Sequence, residues 1–585
     1  MFSSSRSIAS ALVLAFAISF TIAEEPLAAQ SAAQDTAHRK GTTPMPMNMP
    51  MGKKPQKKKA APKVTATGKS TVARKAAKRS APAGAAAGKR VGPVKSQSMT
   101  MPMGAEPHHA PAKAGQVQMS DTTHAVHADS AHHEMGAMKM QTSPATTDST
   151  GMPGMPAHTA GDMMMGPAGV SMERMGSGTT WIPDAISLPS RERMLGPWMI
   201  MTHGFVFVQY DKQSGERGDD QFGSLNWIML MATRDFLGGR FQGRTMLSLD
   251  PFTVSNRGYP LLLQTGETYR GQPLHDRQHP HDFWMELGAL YQREITKGLA
   301  WSVYAAPSGE PALGPVAFMH RPSAMDNPAA PLGHHWQDAT HVSFGVLTGG
   351  IYSRKWQLEG SFFNGREPDE NRWNFDPIKL DSYSGRLTVN PSAHWSFAGG
   401  YGYLKSPETL KPDESMHRLT ASALHGIRLG SAGQLASAFI WGANKHSTTA
   451  NWSSSFLAES EAIVDARNTL FGRAELVQKN AEELVVDIPV TTRNGTVLPP
   501  LLSAQRFDVS ALQLGYIREV ARTHWATIGL GAAGTVNFVP ARLEPYYGSR
   551  NPTGAFIFLR LRPFHTARSP MRVNEMGEMQ IKHDH

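Results

Sequence analysis

Two groups of side chains in this chain carry donor atoms suited to metal chemistry. The first is a run of thioethers and imidazoles: Met45, Met47, Met49, Met51, Met99, Met101, Met103, His108, His109, His124, His127, His132, His133, Met135, Met138, Met140, Met152, Met155 and His158. Thioether sulfur is a soft, neutral ligand for Cu(I), while imidazole also takes Cu(II). Met-x-Met spacing in an extended chain puts both sulfurs on one side, so such a tract can hold copper in either oxidation state. The second group sits further along, in two polar stretches. One holds His275, His279, His281 and Asp282, and the other His320, His334, His335, Asp338 and His341. Imidazoles interleaved with carboxylates fit a Zn or Cu(II) site, and alternation puts His279 and His281 on one side.

Other chemistry is less well supported. The spacing includes no His-Glu-x-x-His pair, and the same residue types also build hydrogen-bonded constrictions without metal. Ser308, Ser323, His320 and Asp326 contain the groups of a hydrolase, but a Ser/His/acid set is defined by geometry that spacing does not select. No phosphate-cradling glycine loop or dinucleotide fingerprint is present, so no organic cofactor is expected. With no cysteine, disulfides, thiolate metal sites and cysteine nucleophiles are excluded.

The elements that carry these residues divide sharply. Arg6, an apolar run from Ile8 to Phe20 and Thr21-Ile22-Ala23 read as a cleaved secretory signal over 1–23. Thirteen apolar residues fall short of the roughly 20 that a helical span needs. Residues 24–178 hold 19 basic and 10 acidic side chains, whereas 179–585 hold 38 of each, so the excess charge belongs to the first segment. That segment has almost no Leu, Ile, Phe or Tyr and is expected to be disordered. It opens with a Lys/Ala/Pro run through Lys95 that suits a cationic spacer, or contact with peptidoglycan or anionic lipid. Export makes nucleic acid an unsuitable partner. Eighteen of the 32 methionines fall in 24–178, where no core is expected to need them.

In Met45 to Met51, His132 to Met140 and Met152 to His158, the tract resembles the periplasmic tails of the outer-membrane copper resistance protein B family. The likeness lies in composition and covers the signal and tail. It implies copper handling at the outer membrane, with the tail in the periplasm and periplasmic metal-handling proteins as partners. The second half of the chain is expected to be longer than that family's barrel.

From Trp198 onward, segments of 8–13 residues alternate with period two. In His417–Leu429, Leu419, Ala421, Ala423, Ile427 and Leu429 face one way, and Arg418, Thr420, Ser422 and Arg428 the other. In Asn468–Gln478, Leu470, Gly472, Ala474 and Leu476 oppose Arg473 and Glu475. Apolar outside and charged inside is the pattern of a membrane barrel. Short connections at Thr296-Lys297-Gly298, Ser353-Arg354, Asn390-Pro391-Ser392, Gly430 to Gly433 and Ala521-Arg522-Thr523 alternate with long loops, as outer-membrane barrels require. The pattern predicts an all-β, transmembrane, antiparallel up-and-down β-barrel of about 16 strands over 179–564. A C-terminal extension follows over 565–585, ending in His583-Asp584-His585. Trp452–Ala462 is counted as a strand because parity would otherwise leave the last strand on the wrong side.

The reading is a non-enzymatic outer-membrane barrel whose Met/His tail binds copper-class cations in metal tolerance or efflux. The alternative is a general or solute-selective porin tethered to the envelope by its cationic tail. A barrel-rim hydrolase ranks third.

Overall fold

The computed structural model describes residues 163–563. Its wall is a closed antiparallel barrel of sixteen strands, β1 to β16, each paired to its sequence neighbour. The first eight are Trp198–Gln213, Asp220–Phe236, Gly239–Leu247, Trp284–Thr296, Leu299–Gly309, Ser343–Ser353, Trp356–Phe363 and Ser382–Ser392. The other eight are Trp395–Lys405, Ser415–Leu429, Gly433–His446, Ser453–Ile463, Asn468–Asn480, Arg506–Arg522, Ala526–Phe538 and Thr553–Pro563. Closure comes from β1 against β16, with Val206 opposite Leu561 and Gln213 opposite Gly554. A short edge strand, Arg191–Leu195, turns back on the start of β1 beyond the end of β16. The strand expected around Trp452 is β12.

Alternation decides which way each side chain faces. Arg418, Thr420 and Ser422 are buried inward on β10, while Leu419 and Ala421 face out. Outward positions such as Ile228, Leu358, Leu514 and Ile557 are 50–67% exposed, forming the apolar band that lipid requires. Short turns join β2–β3, β4–β5 and each later even–odd pair, and all the long loops lie at the opposite end. That asymmetry makes the short-turn end the inner one.

Three chain segments fill the lumen. The first runs from Met163 to Ser190. Arg240 donates to the Met163 carbonyl (2.5 Å), Arg244 to the Gly178 carbonyl (2.5 Å) and Asn390 to the Ile182 carbonyl (3.0 Å). The tail boundary expected at 178 therefore moves to an earlier position. Residues 163–178 are folded inside the barrel, where Met163, Met164 and Met172 are buried and do fill a core. Their composition lacks large aliphatics, and the barrel wall supplies the apolar partner that the segment itself lacks.

The second segment is the β3–β4 loop, which contains an inner hairpin, Tyr259–Tyr269 with Gln272–Gln278. The third is the β5–β6 loop, residues 310–342. Arg321 bridges Glu459 (2.5 Å) and Asp338 (3.1 Å), and Arg473 on β13 reaches the same Glu459 (2.8 Å). Asp326 binds Arg560 (2.5 Å) and Arg562 (3.0 Å) at the end of β16. Buried charges must be paired to be tolerated, so these arginines fix where the loop lies.

The inward face of the first strands is aromatic rather than charged. Phe205, Phe207, Trp227 and Met229 pack against Tyr259 and Phe318 of the folded-in loops. The charged lumen read from β10 and β13 thus holds for that wall, while β1 and β2 present an apolar patch to the filling, flanked on β1 by the buried polar His203, Gln209 and Asp211. The signal, the tail to residue 162 and the C-terminal extension lie outside the described residues.

Candidate metal centre

The two histidine-bearing loops meet in the outer half of the lumen. His279 follows the inner hairpin, and His334 and His335 lie in a single helical turn, His334–Gln337. One ring nitrogen of each lies within 4.8 Å of the other two. The ring centroids are 5.1 Å apart for His334–His335, 5.5 Å for His279–His335 and 5.8 Å for His279–His334.

Two of the three rings are oriented by carboxylates: His334 Nδ1–H donates to Asp338 Oδ1 (2.7 Å) and His335 Nδ1–H to Glu367 Oε1 (2.8 Å), while His279 Nδ1–H donates to the Pro280 carbonyl (3.2 Å) with Glu267 Oε1 at the same distance. Each Nε2 is buried and has no hydrogen-bond partner in the protein. A carboxylate on one ring nitrogen fixes the tautomer and makes the other nitrogen a better donor to a metal. Three imidazole nitrogens form a donor set that suits Zn(II), Cu(II) or Ni(II). Around an ion at about 2.0 Å the nitrogens would stand about 3.3 Å apart, so small ring rotations bring the set together.

The surroundings support this arrangement. Gly266, at φ +121°, lies so close that a Cβ there would come within 2.2 Å of the His335 ring. Only glycine leaves this space. Arg372 pairs with Glu267 and holds it beside His279, and Arg418 and Asn444 donate to the His335 carbonyl (2.7 and 2.9 Å).

Electrostatics keep two of the rings neutral. Burial, reinforced by neighbouring charges, pushes His279 well below its ordinary value, and burial also lowers His334. Burial alone would lower His335 as well, but the charge and hydrogen bond of Glu367 outweigh it and hold that ring above its ordinary value. A metal there competes with a proton that His335 holds more firmly than a free imidazole does.

An outer cavity of about 180 Å³ opens beside His335. Glu267, Glu367, Glu408, Glu482 and Glu483 line it, against Lys411 and Arg418. An acidic vestibule concentrates cations at its mouth.

The other residues singled out from sequence take different places. His281 donates through Nδ1 to Asp250 (2.8 Å), and its ring lies 5.5 Å from that of His341. His341 sits in a helical turn, Ala339–His341, ahead of β6 rather than in the strand. His320 lies deeper, against Met246. His275 is 39% exposed and bound to Asp276, and Asp282 pairs with Arg372, so neither joins the triad. Asp338 acts as a partner of His334. The hydrolase set is not assembled. Ser308 donates to the Trp284 carbonyl (2.7 Å), Ser323 to Glu459 (2.9 Å), and Asp326 is held by two arginines. The tail residues Met45 to His158 lie outside the described residues. The sequence reading missed Glu367 and Asp250, which reach the histidines only through tertiary contact.

No protein-family model matches the chain, and no curated protein gives a match, so the likeness of the tail to copper resistance protein B rests on composition alone. Solved structures similar to it include OprB of Pseudomonas putida, at 12% identity and TM-score 0.38, covering 63% of this chain and 94% of that one. OmpF of Salmonella typhi, in a complex with daunomycin, is 8% identical with TM-score 0.37, covering 64% and 100%. An anion-selective porin from Comamonas acidovorans is 10% identical with TM-score 0.34, covering 62% and 99%. At these scores the architecture rests on the strand pairing itself.

Proposed function

We propose that this chain is an outer-membrane barrel that binds a late transition-metal cation in its lumen, with the Met/His tail on the periplasmic side gathering copper-class ions. The observation that carries the reading is three buried histidines that bring one ring nitrogen each within 4.8 Å of the others, each with an Nε2 unpartnered in the protein and two with Nδ1 bound to a carboxylate. Structural histidines in a constriction normally use both nitrogens, because a buried unpaired acceptor costs about 1–3 kcal/mol. Three such rings gathered beside an acidic vestibule fit an ion better than a hydrogen-bond network. The role is binding and passage, not catalysis. The chemical partners are metal ions and membrane lipid.

The test is a competition titration of the full-length protein in detergent, with Zn(II) against a chromophoric chelator. The wild type should hold one more tightly bound ion per chain than His334→Asn/His335→Asn. Equal numbers would overturn the reading.

The porin reading has one observation in its favour, since sixteen strands enclose a lumen wide enough for an aqueous channel. Against it, three segments cross that lumen among the described residues. Single-channel conductance for unrelated solutes in planar bilayers would favour the porin, and its absence the metal barrel.

A further inference from the structure

Below the triad the donor atoms change in kind. His203, on β1, sets Nε2 3.1 Å from the sulfur of Met229 on β2. His320, at the end of a helical turn in the β5–β6 loop, sets Nε2 3.3 Å from the sulfur of Met246 on β3. The two rings lie 5.1 Å apart. All four side chains are at most 4% exposed, and the Nδ1 of His320 is buried without a partner in the protein. A thioether is a poor hydrogen-bond acceptor, so two buried imidazoles facing sulfur forgo the oxygen partners that a purely structural histidine finds. A small cavity touches Met229, Met246, His320 and His341, with Glu286, which is held by Tyr304 and Arg244, and Glu310 also on its wall.

This group is continuous with others on both sides. Outward, His341 packs against His281 and His334, which carries the donor line to the triad. Inward, a second cavity is lined by Met172, Met175, Met201, His203, Met229 and Met231. It adjoins a cluster at the short-turn end in which Met163, Met164, Met199 and Met201 are buried together, with Met194 and Met231 packed against them. In the sequence, Met163 is preceded by further donors of the same kind, His158, Met155 and Met152.

The donors thus grade from imidazole backed by carboxylate at the outer end to thioether at the inner end. Neutral sulfur and nitrogen donors match a soft ion of low charge, and a single charge also costs less to bury than a double one. We propose that His203, Met229, Met246 and His320 form a second metal site for a monovalent soft cation of the Cu(I) or Ag(I) kind, linking the triad to the inner methionine cluster. The proposal rests on the metal-binding reading above and names the ion that the inner half selects.

The experiment uses full-length protein in detergent, carrying methionine labelled with ¹³C in its methyl groups. The Met229 and Met246 signals are assigned by their loss in Met229→Leu and Met246→Leu, changes that keep side-chain volume close to constant. On addition of Ag(I), both assigned signals should shift in the wild type. In His334→Asn/His335→Asn they should still shift, whereas the Zn(II) ion of the triad is lost. If the tail methyl signals move while Met229 and Met246 stay fixed at saturating Ag(I), the inner site is overturned. Failure of Zn(II) to bind the wild type would instead remove the triad reading and leave the methyl shifts to decide the inner site.

Discussion

On the wall of this barrel, Leu514 and Ile557 stand out toward lipid with nothing to hold them but neighbouring strands. Inside, Arg321, Arg473 and Arg560 are almost fully buried, each fixed by named carboxylates. The wall is held by backbone ladders and alternation, which any apolar outward residue satisfies. The filling is held by particular charges, and each of those must find its partner from another part of the chain. The wall can therefore tolerate exchange of one apolar residue for another, while the filling cannot lose a single carboxylate cheaply. Such rigidity suits the proposed role of the lumen, in which three rings are held in register.

The largest effect should come from breaking the filling at its busiest point. Glu459→Ala leaves Arg321 and Arg473 buried without their shared partner, at a cost of about 3–5 kcal/mol. The purified variant should show a clearly lowered unfolding temperature in detergent. An unchanged one would mean that the loop is not tied as described.

The wall is tested next. Leu514→Arg places a charge on the lipid face, at about 2–4 kcal/mol near the bilayer centre, and should impair folding into vesicles. A change to Val at the same position should be almost silent. If the two behave alike, Leu514 does not face lipid.

Removing a carboxylate behind the triad tests the filling more finely. Glu367→Gln leaves the rings in place but weakens the orientation of His335, and metal affinity should fall about 10–100-fold. Chelator competition reads this directly, and an affinity equal to the wild type would separate Glu367 from the site.

The smallest effect is the pH dependence. His279 and His334 are already neutral through burial, whereas His335 is held above its ordinary value by Glu367 and keeps its proton longer. A metal competes with that proton. Affinity should be level at pH values above the raised His335 value and fall about tenfold per pH unit below it. A profile without such a break would mean that His335 does not ligate.

The same division explains how far the sequence could be read. Period-two alternation and turn residues are local signals, so the sixteen strands, including Ser453–Ile463, and the two-ended loop asymmetry were legible. Strand order places the two histidine loops, β3–β4 and β5–β6, at the same end of neighbouring hairpins. The folded segment 163–190 was not legible, because its Met, Gly and Ser composition looks like tail until a barrel surrounds it; Trp181 and Ile182, both buried, were the available hint. Glu367 lies 32 residues from His335 and in a different loop, so no spacing rule finds it. His203, Met229 and Met246 sit on strands, where an inward methionine reads as ordinary core until the opposing loop brings His320 to it.

Zinc K-edge X-ray absorption of the full-length protein loaded with one equivalent of Zn(II) shows whether the proposed lumen site of His279, His334 and His335 holds one metal ion. Three imidazole nitrogens at about 2.0 Å are expected in the wild type and should be lost in His279→Asn/His334→Asn/His335→Asn. A spectrum identical in the two proteins would overturn the site.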